Sequence, residues 1–475
     1  MDKFIDNIFK GIDDNIKFDD NQKKIIKYTN GNLMVIAGAG AGKTTTMSAK
    51  VNFMTKYLKI PSSEILLISF TNKAVKEIDE YVNNKMNLNI DIFTFHKLAK
   101  NIIEEEGIRF NLINDDEKII RLLIKNKNND KVIKFLWKKN KAYKLFNSGL
   151  SNNETLVRYT AENIKLIKSK MIDLNSIYQQ DIYLNFIKNI INELDEYKEK
   201  NNIMNFDDLI YKATKLMEKN PFKYKYVIID EYQDISKLRY KFVKTIQNKS
   251  TIIVVGDDWQ SIYSFAGSDV NLFLQFSEDF DAKKMIINNT YRNSKELIDI
   301  AGNFIMKDKK MIRKDLISNK KLINSINYIK SSKLEEAIKY IIKKYGVKKN
   351  ILILGRFKND INILNNNFKI KGEDIAYIFN SKVKIKFLTI HSSKGLGFDN
   401  VIILNNENTE YGFPPKIKND YFKSKYIYSD NILEEERRLF YVALTRTKNE
   451  VLLVYTQKKS SFLKEIKTEV KKLKI

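Results

Sequence analysis

Nine short apolar runs punctuate the chain: LMVIA (33–37), ILLISF (65–70), YVIID (226–230), TIIVVGD (251–257), KMIINN (284–289), NILILG (350–355), KFLTI (386–390), NVIIL (400–404) and VLLVY (451–455). Each is about five residues rich in Ile and Val, and each gives way to polar or glycine-containing sequence. Unbroken apolar runs of this length suit strands buried on both faces of a parallel sheet. Helical patterns fill most of the intervals, which predicts an α/β fold of helices layered on parallel sheets. The runs fall into two groups, split near residue 290. Between 98 and 200 the strand signal vanishes, and EKIIRLLIKNKNNDKVIKFLWKKNKAYKLF (117–146) reads as amphipathic helices. This predicts an all-helical insertion in the first α/β unit. KNKNND (125–130) and ILNNNF (363–368) read as loops, and the ending KKSSFLKEIKTEVKKLKI (458–475) as a basic amphipathic helix.

Composition narrows the class. A chain of 475 residues exceeds one core, and 43% hydrophobic with 30% charged residues describes a soluble globular protein. With no cysteine there is neither a disulfide framework nor a thiolate metal site, and two histidines argue against a zinc enzyme. The start, MDKFIDNIFKGIDD, lacks the basic-then-apolar layout of a signal peptide, and no run of 18 apolar residues offers a membrane span. The expected location is intracellular. A net charge of +26 invites a polyanionic partner. Only ten of the 84 basic residues are arginine, however, so part of that charge reflects the Lys-, Ile- and Asn-rich usage of an AT-rich gene. It is also uneven, with fourteen Lys and Arg against four acids in 301–350 and ten against two in 131–170.

Candidate chemistry begins at AGAGAGKT (37–44), which follows a strand and opens a helix. The phosphate-binding pattern G-x-x-x-x-G-K-[ST] fixes Gly42, Lys43 and Thr44 but asks for glycine where Ala37 stands. Position 37 only begins the turn, so a small residue serves. Backbone N–H groups across Ala37, Gly38, Ala39, Gly40, Ala41 and Gly42 can cradle phosphates, Lys43 can reach the β and γ oxygens, and Thr44 can ligate Mg²⁺. YVIIDEYQD adds Asp230 for the metal and Glu231 to polarise the attacking water. An acidic pair after a strand is often only a solvated loop start; the upstream GKT loop favours the catalytic reading. TYRNS offers Arg292 and ALTRTK offers Arg446, both assigned to the second unit. If that unit supplies arginines to the γ-phosphate, hydrolysis requires the two units to close on each other.

These stretches, in this order, resemble the UvrD/Rep family of superfamily 1 DNA helicases, nearest in wording to its helicase IV branch. In that family the first loop begins with alanine. The resemblance extends through FDDNQ (18–22), SFTNKAVKEI (69–78), TFHKLA (94–99), FDDLI (206–210), VVGDDWQSIYSFAGSD (254–269), NNTYRNSKELI (288–298), LGRF (354–357), FLTIHSSKGLGFDNV (387–401) and EEERRLFYVALTRTK (434–448). It implies two RecA-like parallel-sheet domains: 1A in two parts (1–97 and 200–288) around a helical domain 1B (98–199), then 2A (289–475). A connector at 358–387 would stand in place of the large second accessory domain, 2B, which is absent or vestigial. ATP and Mg²⁺ are the implied cofactors, with Gln22, Tyr291 and Thr45 near the adenine. Gln260 would couple nucleotide to strand. Single-stranded DNA and its junctions with duplex would meet Phe70, Tyr263 and Phe265 as stacking residues, and Thr71, Asn72, His96, Thr389 and His391 near the backbone. Both histidines of the chain thus fall in motifs, whereas Trp259 is expected only to pack.

Three departures stand out. Gly397 replaces a glutamate that contacts sugar in relatives, Thr45 an arginine near the adenine, and Ala266 an arginine on the DNA side. The leading expectation is an ATP-dependent 3′-to-5′ single-stranded DNA translocase and helicase in repair, recombination or replication restart. The alternative is a motor subunit beside a nuclease in a complex acting on foreign DNA. A non-catalytic binding protein on a dead nucleotide fold conflicts with the intact lysine, acids and arginines.

Overall fold

The computed structural model describes residues 1–473 apart from 126, 147–148, 178–180, 365–366, 381, 417–419 and 428–431. Parts of the two expected Asn-rich loops and the last two residues of the tail therefore lie outside the described residues.

The chain first lays down β1 (Leu33–Ala37), β2 (Ile65–Ser69) and β3 (Asp91–Thr94). A two-residue pair, β4 (Asn111–Leu112) with β5 (Ile203–Met204), brackets four helices: Glu117–Lys125, Asp130–Lys139, Asn152–Ser169 and Ile182–Lys200. Then β6 (Tyr226–Ile229), β7 (Thr251–Gly256) and β8 (Lys283–Ile287) complete a six-stranded sheet, ordered β3-β2-β6-β7-β1-β8 and parallel throughout. Every residue of β1 and β2 is buried, as their unbroken apolar runs require of strands covered on both faces.

The second sheet holds β9 (Ile326–Lys330), β10 (Ile351–Gly355), β11 (Phe368–Lys371), β12 (Asp374–Tyr377), β13 (Ile385–Thr389), β14 (Asn400–Ile403), β15 (Val451–Tyr455) and β16 (Lys471–Lys472). Its order is β11-β12-β13-β10-β14-β15-β9-β16, parallel except where β12 pairs antiparallel with β11 and β13. Within 358–387, expected as a short connector, the described residues include a short 3₁₀ turn (Lys358–Ile363), the β11–β12 hairpin that widens the sheet, and the start of β13.

Several features differ from the sequence reading. β3, β9, β11 and β12 carry polar residues at alternate or end positions, such as the Asn and Lys of INYIK, and so present no unbroken run. The boundary placed at residue 98 falls inside the helix Phe95–Glu105, whose Leu98, Ala99, Ile102 and Ile103 pack in the core of the first sheet. That helix belongs by packing with the sheet, and the helical block begins beyond it. The tail is not a long amphipathic helix. Ser461–Glu465 forms one short turn, Phe462, Leu463, Ile466 and Val470 enter the core of the second unit, and β16 pairs at the sheet edge beside β9. Its apolar residues are drawn into that core, which fixes the backbone more strongly than helix periodicity in a short segment.

The helical block is also shared between the two halves of the chain. The helix Tyr421–Tyr426, from the second half, buries Phe422 completely in the block's core. Asp420 accepts hydrogen bonds there from Tyr159 Oη (2.7 Å) and Asn140 Nδ2 (3.1 Å). Burying one such ring contributes about 1.5–3 kcal/mol, so this strap ties the second unit to the block.

Candidate nucleotide and nucleic-acid site

The loop 38–42 connects β1 to the helix Lys43–Asn52. Ala37 is still a strand residue, paired in register with Ile287 and fully buried, so the position has no use for glycine's freedom. That freedom is used at Gly40 (φ +69°) and Gly42 (φ +75°), both left-handed. At Gly40 a Cβ would also stand 2.5 Å from Arg292 Cβ. The turn leaves the first N–H groups of the following helix unpaired within it, the usual arrangement for holding an anion.

Gln22 closes the far side of the loop. With Asp19 it forms a capping box at the helix Asp20–Lys27. Its buried amide donates to Thr46 Oγ1 (3.0 Å), while its Oε1 accepts from Tyr291 Oη (3.3 Å). Tyr291 itself is 59% exposed, with its ring edge near Gly42, so a flat face is open beside the loop.

Asp230 and Glu231 follow β6 directly. Glu231 is left-handed (φ +53°, ψ +34°), strain that a non-glycine residue holds only where its surroundings over-determine it. Lys43 Nζ lies 3.4 Å from Glu231 Oε1. Burial works against the Lys43 charge, but Glu231, Asp257 and Asp230 outweigh it and hold the ammonium above its ordinary range. Burial and the neighbouring Glu231 push the Asp230 carboxyl up. Burial acts the same way on Glu231, yet Lys43 and Lys394 prevail and pull it down. A buried carboxyl and the Thr44 hydroxyl lining one cavity fit a hard cation that brings its own phosphate and water ligands. Among the described residues no group of three or more His, Cys, Asp or Glu forms an all-protein metal cage.

One cavity of about 500 Å³ is lined by Lys43, Thr44, Thr45, Asp230 and Glu231 and also by Gln260, Arg292 and Arg446. Arg446 Nη2 donates to Gln260 Oε1 at 3.0 Å. Burial and the nearby Arg292 lower the Arg446 guanidinium to about 9. The two arginines do not arrive together from the second unit. Thr290 Oγ1 donates to the Ala39 carbonyl (2.7 Å) and Tyr291 N to that of Gly40 (3.1 Å), so the Arg292 loop is pinned to the phosphate loop. Arg446, by contrast, follows the helix Ile432–Leu444 in the second unit. Asn293 joins the two through the Thr445 and Thr447 carbonyls. Gly397 lies against Arg292, where a Cβ would stand 3.2 Å from Nε.

The same cavity runs on past Phe70, Thr71, Tyr263 and Ala266. Tyr263, Phe265 and His391 cluster, with Phe265 5.9 Å from the Tyr263 ring and 5.2 Å from that of His391. Phe265 is 54% exposed. Thr389 Oγ1 sits 2.9 Å from Ser392 Oγ beside this group. Phe70 is half-buried, edge-on to Phe95, and Thr71 caps the helix that Asn72 begins. His96 packs on Phe206 (4.9 Å). Burial, with Arg239 and Lys165 for His96 and Arg356 and Lys394 for His391, lowers both imidazoles to about 4, so both are neutral near pH 7. Trp259 is buried edge-on against Tyr441, as a packing residue.

Sequence reasoning assigns no role to four residues that join these groups. Lys394 reaches Asp234 and the Gln260 carbonyl (2.7 Å), and its ammonium lies 4.9 Å from the Tyr263 ring centre. Gln233 donates to Glu231 and accepts from Asp257 N. Arg239 stands between the Phe70 ring and His96, and Phe206 is partly exposed beside His96. Lys394, Gln233 and Phe206 lie inside quoted motifs, which is the signal that could have found them; Arg239 lies outside them.

Residues 18–281 match the family model of the UvrD/REP helicase N-terminal domain, and 371–458 that of the UvrD-like helicase C-terminal domain. The chain belongs to the UvrD/REP helicase family. It is 27% identical over 472 residues to DNA helicase IV of Escherichia coli K12, covering 91% of this chain and 67% of that one. It is 28% identical over 394 residues to the ATP-dependent DNA helicase Rep of Buchnera aphidicola, covering 78% and 53%. With the ATP-dependent DNA helicase PcrA of Staphylococcus epidermidis it shares 27% over 343 residues, covering 68% and 44%. The chain thus spans about two-thirds of one of these relatives and about half of the other two. Among the described residues no helix is long and apolar enough to cross a membrane.

Proposed function

We propose that this protein is an ATP-driven, 3′-to-5′ single-stranded DNA translocase and helicase serving repair, recombination or replication restart. The observation that carries the reading is the shared cavity: the phosphate loop, the acid pair, Gln260 and two arginines line it together with the half-buried rings of Phe70 and Tyr263, and the exposed Phe265 ring packs against Tyr263. Family membership supports both the chemistry and the substrate, and the direction of travel rests on the family resemblance.

In this reading the β and γ phosphates sit on the N–H groups after Gly38, and their charge draws Lys43 away from Glu231. Glu231, freed of its ion pair with Lys43, orients the attacking water, and the Lys394 charge still favours its ionised form. Thr44 and Asp230 would hold Mg²⁺, which would supply neutralisation of the charge developing on the phosphates. Arg292 is already fixed beside the loop and Gln260 follows β7 of the first sheet, whereas Arg446 moves with the second unit. Coupling therefore runs through the Arg446–Gln260 hydrogen bond, and Gln260 lies three residues from Tyr263. Stacking on Tyr263 and Phe265 holds bases of any sequence.

Strand separation on duplexes carrying either a 3′ or a 5′ single-stranded tail tests the reading. Unwinding of the 3′-tailed duplex alone, dependent on ATP and Mg²⁺, is expected. Preference for the 5′ tail would reverse the polarity, and displacement of a bound protein without unwinding would reduce the activity to translocation.

A further inference from the structure

Between the two sheets the chain passes through an irregular segment, Met311–Ile317, marked by no motif or apolar run. It touches both halves of the nucleotide machinery. Leu316 covers Gly38 so closely that a Cβ there would meet Leu316 Cδ2 at 2.7 Å. Ile317 exchanges backbone hydrogen bonds with Asn288 and Thr290. Ile312 N donates to Asp258 Oδ2 (2.7 Å), and its carbonyl accepts from Trp259 Nε1 (3.0 Å). Between these anchors, Lys314 inserts its ammonium between Asp257 and Asp258, and all three side chains are fully buried. The ammonium lies 4.5 Å from the Trp259 ring centre. Its approach to Asp258 Oδ1, at 2.6 Å, is a charge contact rather than a well-angled hydrogen bond.

A cation and two carboxylates without water cost more to desolvate than an apolar cluster of similar volume, so stability alone does not account for them. Asp257 supplies a reason. Its Oδ2 accepts from the Gln260 side-chain amide, and Gln260 Oε1 in turn accepts from Arg446. Removing the ammonium would leave two carboxylates facing each other and release the one that aims Gln260. We propose that Lys314 is a positioning residue for ATP turnover: it fixes Asp257, which orients Gln260 toward the γ-phosphate and Arg446. Leu316, on the same segment, ties that orientation to the phosphate loop. This rests on the ATP-driven motor reading above.

The test is a double-mutant cycle on kcat and on KM for ATP with saturating single-stranded DNA. Lys314→Met is expected to lower kcat about tenfold or more while KM changes less than about threefold, and in a Gln260→Ala background it should change kcat less than about twofold. Full additivity of the two substitutions, or a rise in KM with kcat unchanged, would overturn the proposal. Should Lys314→Met fail to fold, Lys314→Met with Asp258→Asn, compared with Asp258→Asn alone, keeps the net buried charge unchanged and carries the same expectation. If the wild-type rate ignores single-stranded DNA, the motor reading fails. The cycle on the basal rate then still decides whether Lys314 acts through Gln260, non-additivity sustaining it and additivity overturning it.

Discussion

At one end of the cavity Asp230 and Arg446 are buried charges and Lys43 and Glu231 partly buried ones, each with a polar or charged partner. At the other, Phe265 and its neighbours offer ring faces and neutral imidazoles, with the Lys394 ammonium 4.9 Å from the Tyr263 ring centre. The first end depends on charges whose strength comes from burial, so a missing group has no substitute. The second end spreads its affinity over several stacking surfaces, each indifferent to sequence. Chemistry should therefore fail abruptly when one residue changes, and strand binding should fail by degrees.

The largest expected effects lie at the charged end. Arg446→Ala should lower DNA-stimulated kcat by roughly 10³ or more, with affinity for a fluorescent ATP analogue little changed. Glu231→Gln should cost about 10²–10⁴ in kcat while ATP stays bound, measured by single-turnover hydrolysis. An Arg446 variant that keeps its rate would remove that arginine from the chemistry.

On the aromatic side the expected losses are smaller. Phe265→Ala should weaken single-stranded DNA by about 1–3 kcal/mol, read by fluorescence anisotropy, with KM for ATP unchanged. Phe70→Ala should do less through stacking, because its ring is half-buried on Phe95, and should also lower the melting temperature. A loss from Phe265→Ala as abrupt as that from Arg446→Ala would break the contrast.

Acid provides a further test. His96 and His391 have folded values near 4, below the ordinary 6.5, so the unfolded chain takes up their protons first. Their contribution to stability is complete above pH 6.5 and is lost as pH falls from there toward 4. The buried Asp234, raised to about 6 by burial, works in the opposite direction. The measurement is therefore a difference: between pH 7 and 5, His96→Gln and His391→Gln should each lose less melting temperature than the wild type. Smallest of all should be Ala37→Gly, which costs about 0.5–1 kcal/mol of strand stability and leaves ATPase activity within about twofold.

The two ends are not equally legible in the sequence. Asp230 and Glu231 directly follow an apolar run, and Lys43 the glycine-rich loop after another, and the length and composition of both runs mark strands buried on both faces, so these positions are readable from the pattern of residues alone. Gly40 and Gly42 likewise announce a turn. Arg292 reads as part of the second unit because it follows the last strand of the first group; what pins it to the phosphate loop is two hydrogen bonds to backbone carbonyls, which leave no mark in sequence. The Phe70–Arg239–His96–Phe206 group draws on four separate segments, and proximity of that kind arises only from packing. The same holds for Phe422, an ordinary aromatic in a polar stretch until the helical block closes around it. β9 and the β11–β12 hairpin escape because their polar positions break the run expected of a buried strand.

The most direct test of the account is steady-state ATPase activity measured without nucleic acid and with single-stranded DNA, duplex DNA and RNA, using Glu231→Gln as the control. Strong stimulation by single-stranded DNA that vanishes in Glu231→Gln is the predicted result. A low rate that is the same on every polymer, or a stimulated rate that survives in Glu231→Gln, would contradict it.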